Sequence, residues 1–405
     1  MKKKHLVIVG LLVFCCLSWS INSVAAVAAQ VKCDSWGCTV DGAITEAALA
    51  QVKKEGKLSE SALTLKNVTN DDLKKLPTLK AELTQLVIQD SKAVTDITPL
   101  GELTGLKSLE LYLDNPADFS PVAKLVNLAK LRITKGKYTS FDFLKPLSGL
   151  ETLMLDSPPQ EPSAISALAG KTKLKTLTFG GANIKDISPL KDAINLEFLS
   201  LYATKVTDLA PLTALKKNLK KLNLVRIPAK DLTPVGELSE LAEIYIEATD
   251  FADYAPLARC TKVKMLEALA SNFDKLEVIA TMPDLSSLNL LKSSKVQQWD
   301  ALKTAKNLDF LQVTETSFSD LTLVAHMDKL RYLYISKTAV IHPEAISALP
   351  NLGTLGIVET QGISDVSMFK TLPKLETLYI KKGQFPQTQL DALKAANPKL
   401  RISEY

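Results

Sequence analysis

Leucines recur along this chain in a fixed figure. The pattern L-x-x-L-x-[LIVF] stands at Leu83, Leu86 and Ile88, at Leu106, Leu109 and Leu111, at Leu128, Leu131 and Ile133, and at Leu150, Leu153 and Leu155. It returns from Leu174, Leu196, Leu219, Leu241, Val263, Leu285, Leu308, Leu330, Leu352 and Leu375, at steps of 22 to 24 residues. Weaker copies lie at both ends, where Leu63 and Leu65 follow Glu60 and where Leu400 and Ile402 follow Asn397. With those two, 16 coils run from about Glu60 to Tyr405. Inside each figure apolar and polar residues alternate as in a strand with one buried face. A unit this short cannot bury its apolar side alone, so the coils must stack and share one core. The pattern predicts an α/β solenoid with one short strand per coil in a long parallel sheet.

The segment between strands has a signature of its own. Asp96-Ile97-Thr98-Pro99-Leu100, Asp118-Phe119-Ser120-Pro121-Val122, Asp186 to Leu190 and Asp208 to Leu212 repeat it, as do Asp231 to Val235 and Asp253 to Leu257. Ser or Thr before Pro suits a helix N-cap followed by its first position, where proline lacks nothing it needs. Each coil is therefore expected to return through a short helical turn. Longer returns are expected over Glu161–Ala169, Pro343–Leu349 and Thr388–Ala396.

Together the leucine figure and the D-I-x-P-L return resemble the internalin-type class of bacterial leucine-rich repeats, over nearly all of the chain beyond its first residues. The resemblance implies a right-handed horseshoe or arc, with the parallel sheet on the concave face and short 3-10 or helical returns on the convex face. It also implies an N-terminal cap and a concave sheet that binds proteins. One position departs from that class. Three residues after the last core residue of each strand, where Asn is usual, this chain has Thr204, Thr249, Thr316, Thr338 and Thr360, with Ser271, Ser293 and Ala182 elsewhere. A hydroxyl can replace only part of an amide's hydrogen bonding, so the fold should survive with less regular turns.

The N terminus changes the picture of where the protein works. Lys2, Lys3 and Lys4 precede an apolar run from Leu6 to Leu17, and Ala25, Ala26, Ala28 and Ala29 follow. That is the layout of a secretory signal peptide over residues 1–29, with cleavage after Ala26, Ala28 or Ala29. The run is short for a membrane span, and Phe14 before Cys15 and Cys16 argues against a lipid anchor. An exported protein, periplasmic, secreted or held at the cell surface, with no integral membrane segment after cleavage, is the expectation. Residues 30–59 then form an N-terminal cap. Cys33 and Cys38 bracket four residues there, and an oxidising compartment favours closing such a pair as a disulfide. Metal ligation is the rival reading, weakened because no second Cys or His pair stands nearby. Cys260 is expected in the core.

Charge narrows the partners. The chain has 49 Lys and Arg against 44 Asp and Glu, and removing the three leader lysines leaves +2. That is too little for a nucleic-acid footprint. Chemistry is also thinly supplied, because catalysis needs converging nucleophile, base and orienting groups. Only His326 and His342 remain beyond His5, and the Asp residues of the returns read as turn formers. No catalytic residue, metal site or cofactor is expected, nor an enzyme.

The outward sheet face is the candidate binding surface. Neighbouring strands lie about 4.8 Å apart, so 16 coils present roughly 70 Å. Phe198, Tyr202 and Tyr245 with Glu243, Glu247 and Glu267 form one patch. Phe310, Tyr332, Tyr334 and Tyr379 form a second, and Lys130 and Arg132 make a small basic spot. Rigid aromatics are frequent interface anchors, although they also simply suit strands. A protein partner bound by a monomer is the first expectation. A glycan or envelope polymer held with help from Asn223, Asn289 and Gln312 is the second, and an exported enzyme with an unrecognised site is the third.

Overall fold

The computed structural model describes residues 29–136, 140–156, 162–181 and 183–405. The expected leader falls outside these apart from Ala29, as do Glu161 and Ala182. The chain opens with an antiparallel hairpin of β1 (Gln30–Asp34) and β2 (Gly37–Asp41), followed by the helix α1 (Glu46–Glu55). The next strands are β3 (Ala62–Lys66), β4 (Gln85–Gln89), β5 (Ser108–Tyr112), β6 (Lys130–Thr134), β7 (Thr152–Asp156) and β8 (Thr176–Gly180). Shorter ones continue as β9 (Phe198–Ser200), β10 (Lys221–Asn223), β11 (Glu243–Tyr245), β12 (Met265–Glu267), β13 (Ser287–Asn289) and β14 (Phe310–Gln312). The stack ends with β15 (Tyr332–Tyr334), β16 (Thr354–Gly356), β17 (Thr377–Ile380) and β18 (Arg401–Glu404).

From β2 to β18 each strand pairs in parallel with the next, and the leucines share one register. Leu109 stands beside Leu131 and Leu131 beside Leu153, all fully buried. One apolar core runs unbroken from Cys38 to Leu400. Since β2 already pairs with β3, the cap supplies the first strand of the sheet rather than sitting apart from it. Cys33 and Cys38 face each other in the hairpin and form a disulfide. The helix α1 closes that end by burying Ala48 and Val52, and the Thr45 hydroxyl accepts from the Ala48 amide at its N-cap. A short helix α2 (Asn70–Leu73) carries Asp72, whose buried carboxylate accepts from the amides of Ile44 (2.8 Å) and Thr69 (3.0 Å). At the other end α3 (Gln387–Ala396) buries Leu390 and Leu393.

The returns are short 3-10 turns, as the resemblance implies, and two of the three expected to be more helical are tighter than the sequence pattern suggests. Pro162–Leu168 and Pro343–Ala348 are 3-10 turns, and only the last expected helical return is an α-helix. The cap of each return also differs from expectation. The Ser or Thr before Pro makes no N-cap bond, and no side chain caps these returns; the Asp two residues earlier closes a turn just ahead of them instead. Asp96, Asp118, Asp186, Asp231 and Asp365 each accept from the backbone amide two residues on, at 2.7 to 2.8 Å. This is an Asx-turn, which a carboxylate closes with less reach than a cap requires. The serine hydroxyls of the motif bond the same Asp, as Ser120 does to Asp118.

The Thr and Ser residues that stand for Asn behave as half-ladders. Thr204, Thr249, Ser271 and Thr316 donate to the carbonyl three residues back in their own coil. Ser293 and Thr360 reach the previous coil, donating to the carbonyls of Ala268 and Ile335.

Candidate functional site

Because strand residues alternate in and out, the outward positions align in two columns. One column reads Phe198, Lys221, Glu243, Met265, Ser287, Phe310, Tyr332 and Thr354. The other reads Asn223, Tyr245, Glu267, Asn289, Gln312, Tyr334, Gly356 and Tyr379. Apart from the buried Gly356, these side chains are half-exposed on a face whose alternate positions are buried.

The second expected patch assembles into one array. Phe310 lies 6.3 Å from Tyr332 and 5.7 Å from Tyr334, between ring centres. Tyr334 stacks with Tyr379 at 6.2 Å and 24°, although their strands are not adjacent. Gly356 on the strand between makes this possible: a Cβ there would meet the Tyr334 ring at 2.6 Å. Tyr405, 71% exposed, prolongs the array 5.8 Å from Tyr379. Arg331 stacks over Tyr332 at 5.3 Å and grips Asp309 with both arms. The hydroxyls of Tyr332, Tyr334 and Tyr379 bond nothing within the described chain. Burial and neighbouring tyrosines hold the Tyr334 hydroxyl above its ordinary pKa, so it remains a donor at neutral pH.

The first patch is wired through a residue the sequence pattern did not single out. Lys221 donates to Glu243 at 2.7 Å and lies 5.4 Å from the Phe198 ring centre and 5.2 Å from that of Tyr245. The Tyr245 hydroxyl donates to Glu243 at 2.9 Å and contacts the Met265 sulfur. Burial works to raise the Glu243 carboxyl, but the hydrogen bonds from Lys221 and Tyr245 outweigh it and hold it below the usual range. Tyr202 sits apart on the strand-exit turn, where Arg226 joins it to Glu247. Glu267 is pushed up by burial and then by the charges of Glu247 and Glu243, and it has no cation partner among the described residues.

The expected basic spot is not basic. Lys130 pairs with Glu110 at 2.7 Å, and Arg132 lies 3.4 Å from Asp156 and 5.1 Å from the Tyr112 ring centre. The acidic partners stand about one coil away in sequence, so a reading of neighbouring positions misses them. Comparing residues at steps of 20 to 24 would have found Lys221, Arg226 and Glu110.

Two clefts, of about 290 and 680 Å³, open at the strand exits, one around Tyr112 and Asp114, the other around Lys337 and Gln361. Neither takes in an expected site residue. Cys260 is buried and its thiol is pushed up to about 12, so it stays protonated and unreactive. Among the described residues no three His, Cys, Asp or Glu converge to hold a metal, and no helix is long and apolar enough to cross a membrane.

No protein-family model matches this sequence, and no curated protein matches it either. Solved structures do. An internalin of Listeria monocytogenes, InlF, is similar over 81% of this chain and 88% of its own, with 23% identity and a TM-score of 0.62. The chain has the internalin-like leucine-rich-repeat fold. A leucine-rich-repeat protein of Leptospira interrogans matches this solenoid over 89% of the chain and 92% of its own, at 19% identity and a TM-score of 0.60. The functional domain of internalin J from Listeria monocytogenes, which includes a cysteine ladder, matches over 84% and 73%, at 19% identity and 0.60. In the present leucine-rich-repeat chain the stacking is carried by leucines and hydroxyls, and the one free cysteine among the described residues, Cys260, is buried.

Proposed function

We propose that this solenoid is an exported binding protein that recognises another protein through the outward face of its sheet, without catalysis. The observation that carries the reading is the array of Phe310, Tyr332, Tyr334 and Tyr379, held in mutual ring contact with unbonded hydroxyls on an open face. Such a surface presents large, rigid side chains at little conformational cost, which is how interface anchors work. A small metabolite would want an enclosing pocket instead. Export is supported by the lysine-led apolar run at residues 2–17 and by the Cys33–Cys38 disulfide, a bond typical of oxidising compartments.

Replacing Tyr332 and Tyr334 together by Ala should abolish capture of the partner from cell or host extracts while lowering the melting temperature by no more than a few degrees. Equal capture by the double variant would reject the site. For export, N-terminal sequencing of the chain expressed in a bacterium should begin at Val27, Ala29 or Gln30. An intact Met1 in the mature product would count against it. A glycan remains the second reading, because Asn289, Gln312 and Tyr334 do fall in one column.

A further inference from the structure

Many charged groups of the outward face are paired within the chain. Lys130 holds Glu110, Arg132 faces Asp156, Lys221 holds Glu243, Arg226 faces Glu247 and Arg331 holds Asp309. In the outward columns from β9 to β17 Glu267 is the one charge without an ion pair among the described residues: half-buried on β12, it has the carboxylates of Glu247 and Glu243 as like-charged neighbours, and the Lys221 ammonium near it is already engaged by Glu243. A carboxylate desolvated without a partner costs stability, and it is satisfied by a cation brought from outside.

What stands beside Glu267 in the same column decides the kind of partner. The next two outward residues are Asn289 and Gln312, then Tyr334. The Asn289 carbonyl is engaged by the Leu291 amide at 3.2 Å, which leaves its NH2 outward, and the Gln312 side chain bonds nothing within the described chain. The free NH2 of Asn289 and the whole amide of Gln312, one strand apart, offer donors and an acceptor to the carbonyls and N–H groups of an extended backbone. Beyond them the aromatic array offers apolar faces for a ring or a proline. From Glu267 to Tyr334 is three strand steps, about 14 Å at about 4.8 Å each, and an extended chain covers that in four or five residues at roughly 3.3 Å apiece.

We propose that the face between β11 and β17 docks an extended polypeptide segment running across the strands, with an Arg or Lys side chain against Glu267 and Glu247 and, four or five residues away, an aromatic or proline side chain on Tyr332, Tyr334 and Tyr379. This rests on the protein-binding reading above and specifies the form of the partner. Charge complementarity selects its basic end, the bare amides hold its backbone, and the array sets its apolar end.

The full chain serves as bait for a phage-displayed library of random twelve-residue peptides. Enrichment of sequences with a basic residue four or five positions from an aromatic or proline is expected. A selected peptide should lose at least tenfold in affinity to Glu267→Gln, which keeps the side chain's shape, and at least tenfold to Tyr334→Ala. Glu267→Lys should bind the same peptide with its basic residue changed to Glu better than it binds the original. Failure to enrich the spaced pair, or equal binding to Glu267→Gln, would overturn the proposal. Oligosaccharides bound on a glycan array and lost in Tyr334→Ala would overturn it in favour of a sugar ligand. If partner capture is lost in the Tyr332 and Tyr334 double variant but untouched by Glu267→Gln, the protein-binding site stands and the extended peptide falls. If neither variant changes capture, both readings fall.

Discussion

Lys171 stands where the flanking coils set Leu147 and Ala193, each with a carbonyl that accepts from the leucine opening the next strand figure. It is 3% exposed, and its ammonium donates to one partner, the Lys145 carbonyl at 2.9 Å. Burial lowers its pKa, because no carboxylate offsets the lost hydration. Replacing it by Leu should raise stability by about 1–2 kcal/mol at pH 7, since a well-packed apolar side chain often improves on a buried charge. The pH dependence has a definite sign. Below the folded-state pKa both states are charged and the burial cost is fully present. As pH climbs from there towards the unfolded value near about 10.4, the folded form sheds its proton first and the cost fades. The gap in urea midpoint between Lys171→Leu and the natural chain should therefore narrow from pH 7 to pH 10; a gap that widens would refute the argument. Sequence alone shows Gly170-Lys171-Thr172-Lys173, which looks like a solvated turn. Only the alignment of coils reveals that one of those lysines points into the stack.

At the level of elements, the hairpin shows how a local choice fixes a long-range contact. Gly37 has φ +144°, and a Cβ on it would fall 2.0 Å from the Ala62 carbonyl oxygen, on the neighbouring strand in the sheet. Gly37→Ala should thus lift the start of β2 off β3 and cost about 2–3 kcal/mol. Amide exchange in β2 and β3 should accelerate while β14 stays protected; uniform acceleration throughout would contradict this. Elsewhere, strand exits put ordinary residues into left-handed backbone, among them Ala203, Arg226, Ala248, Ala270 and Lys292. The repeat signals strands and returns clearly, but it does not announce that most strand exits use such a residue. Returns were legible through their Asp and Pro, but the choice between 3-10 and α geometry was not.

The molecule as a whole is a one-dimensional stack, in which each strand and return packs chiefly against its neighbours. Leu131, buried between Leu109 and Leu153, is a test of that description. Leu131→Ala should cost about 3–5 kcal/mol, as for other fully buried leucines. Exchange should quicken first in β5, β6 and β7, because stability in a stack is a sum of units and nearest-neighbour interfaces. Equal effects at β16 would show a different, globally cooperative body. The same one-dimensionality lays the binding face out as columns, so that residues 22 to 24 apart become neighbours and partners.

The sequence by itself determined the coils, their number from Glu60 onward, the buried leucines and the outward aromatics, because these depend on alternation within one strand and on a repeat too short to stand alone. Tertiary structure decided the charges and the arrangement of the rings. Lys130 and Arg132 lost their basic character to carboxylates on adjacent strands, Tyr334 reached Tyr379 only because Gly356 lies between them, and Glu267 was left alone because its neighbours on both columns had already been matched. Those outcomes depend on distances between coils, which side-chain packing sets and no single repeat contains.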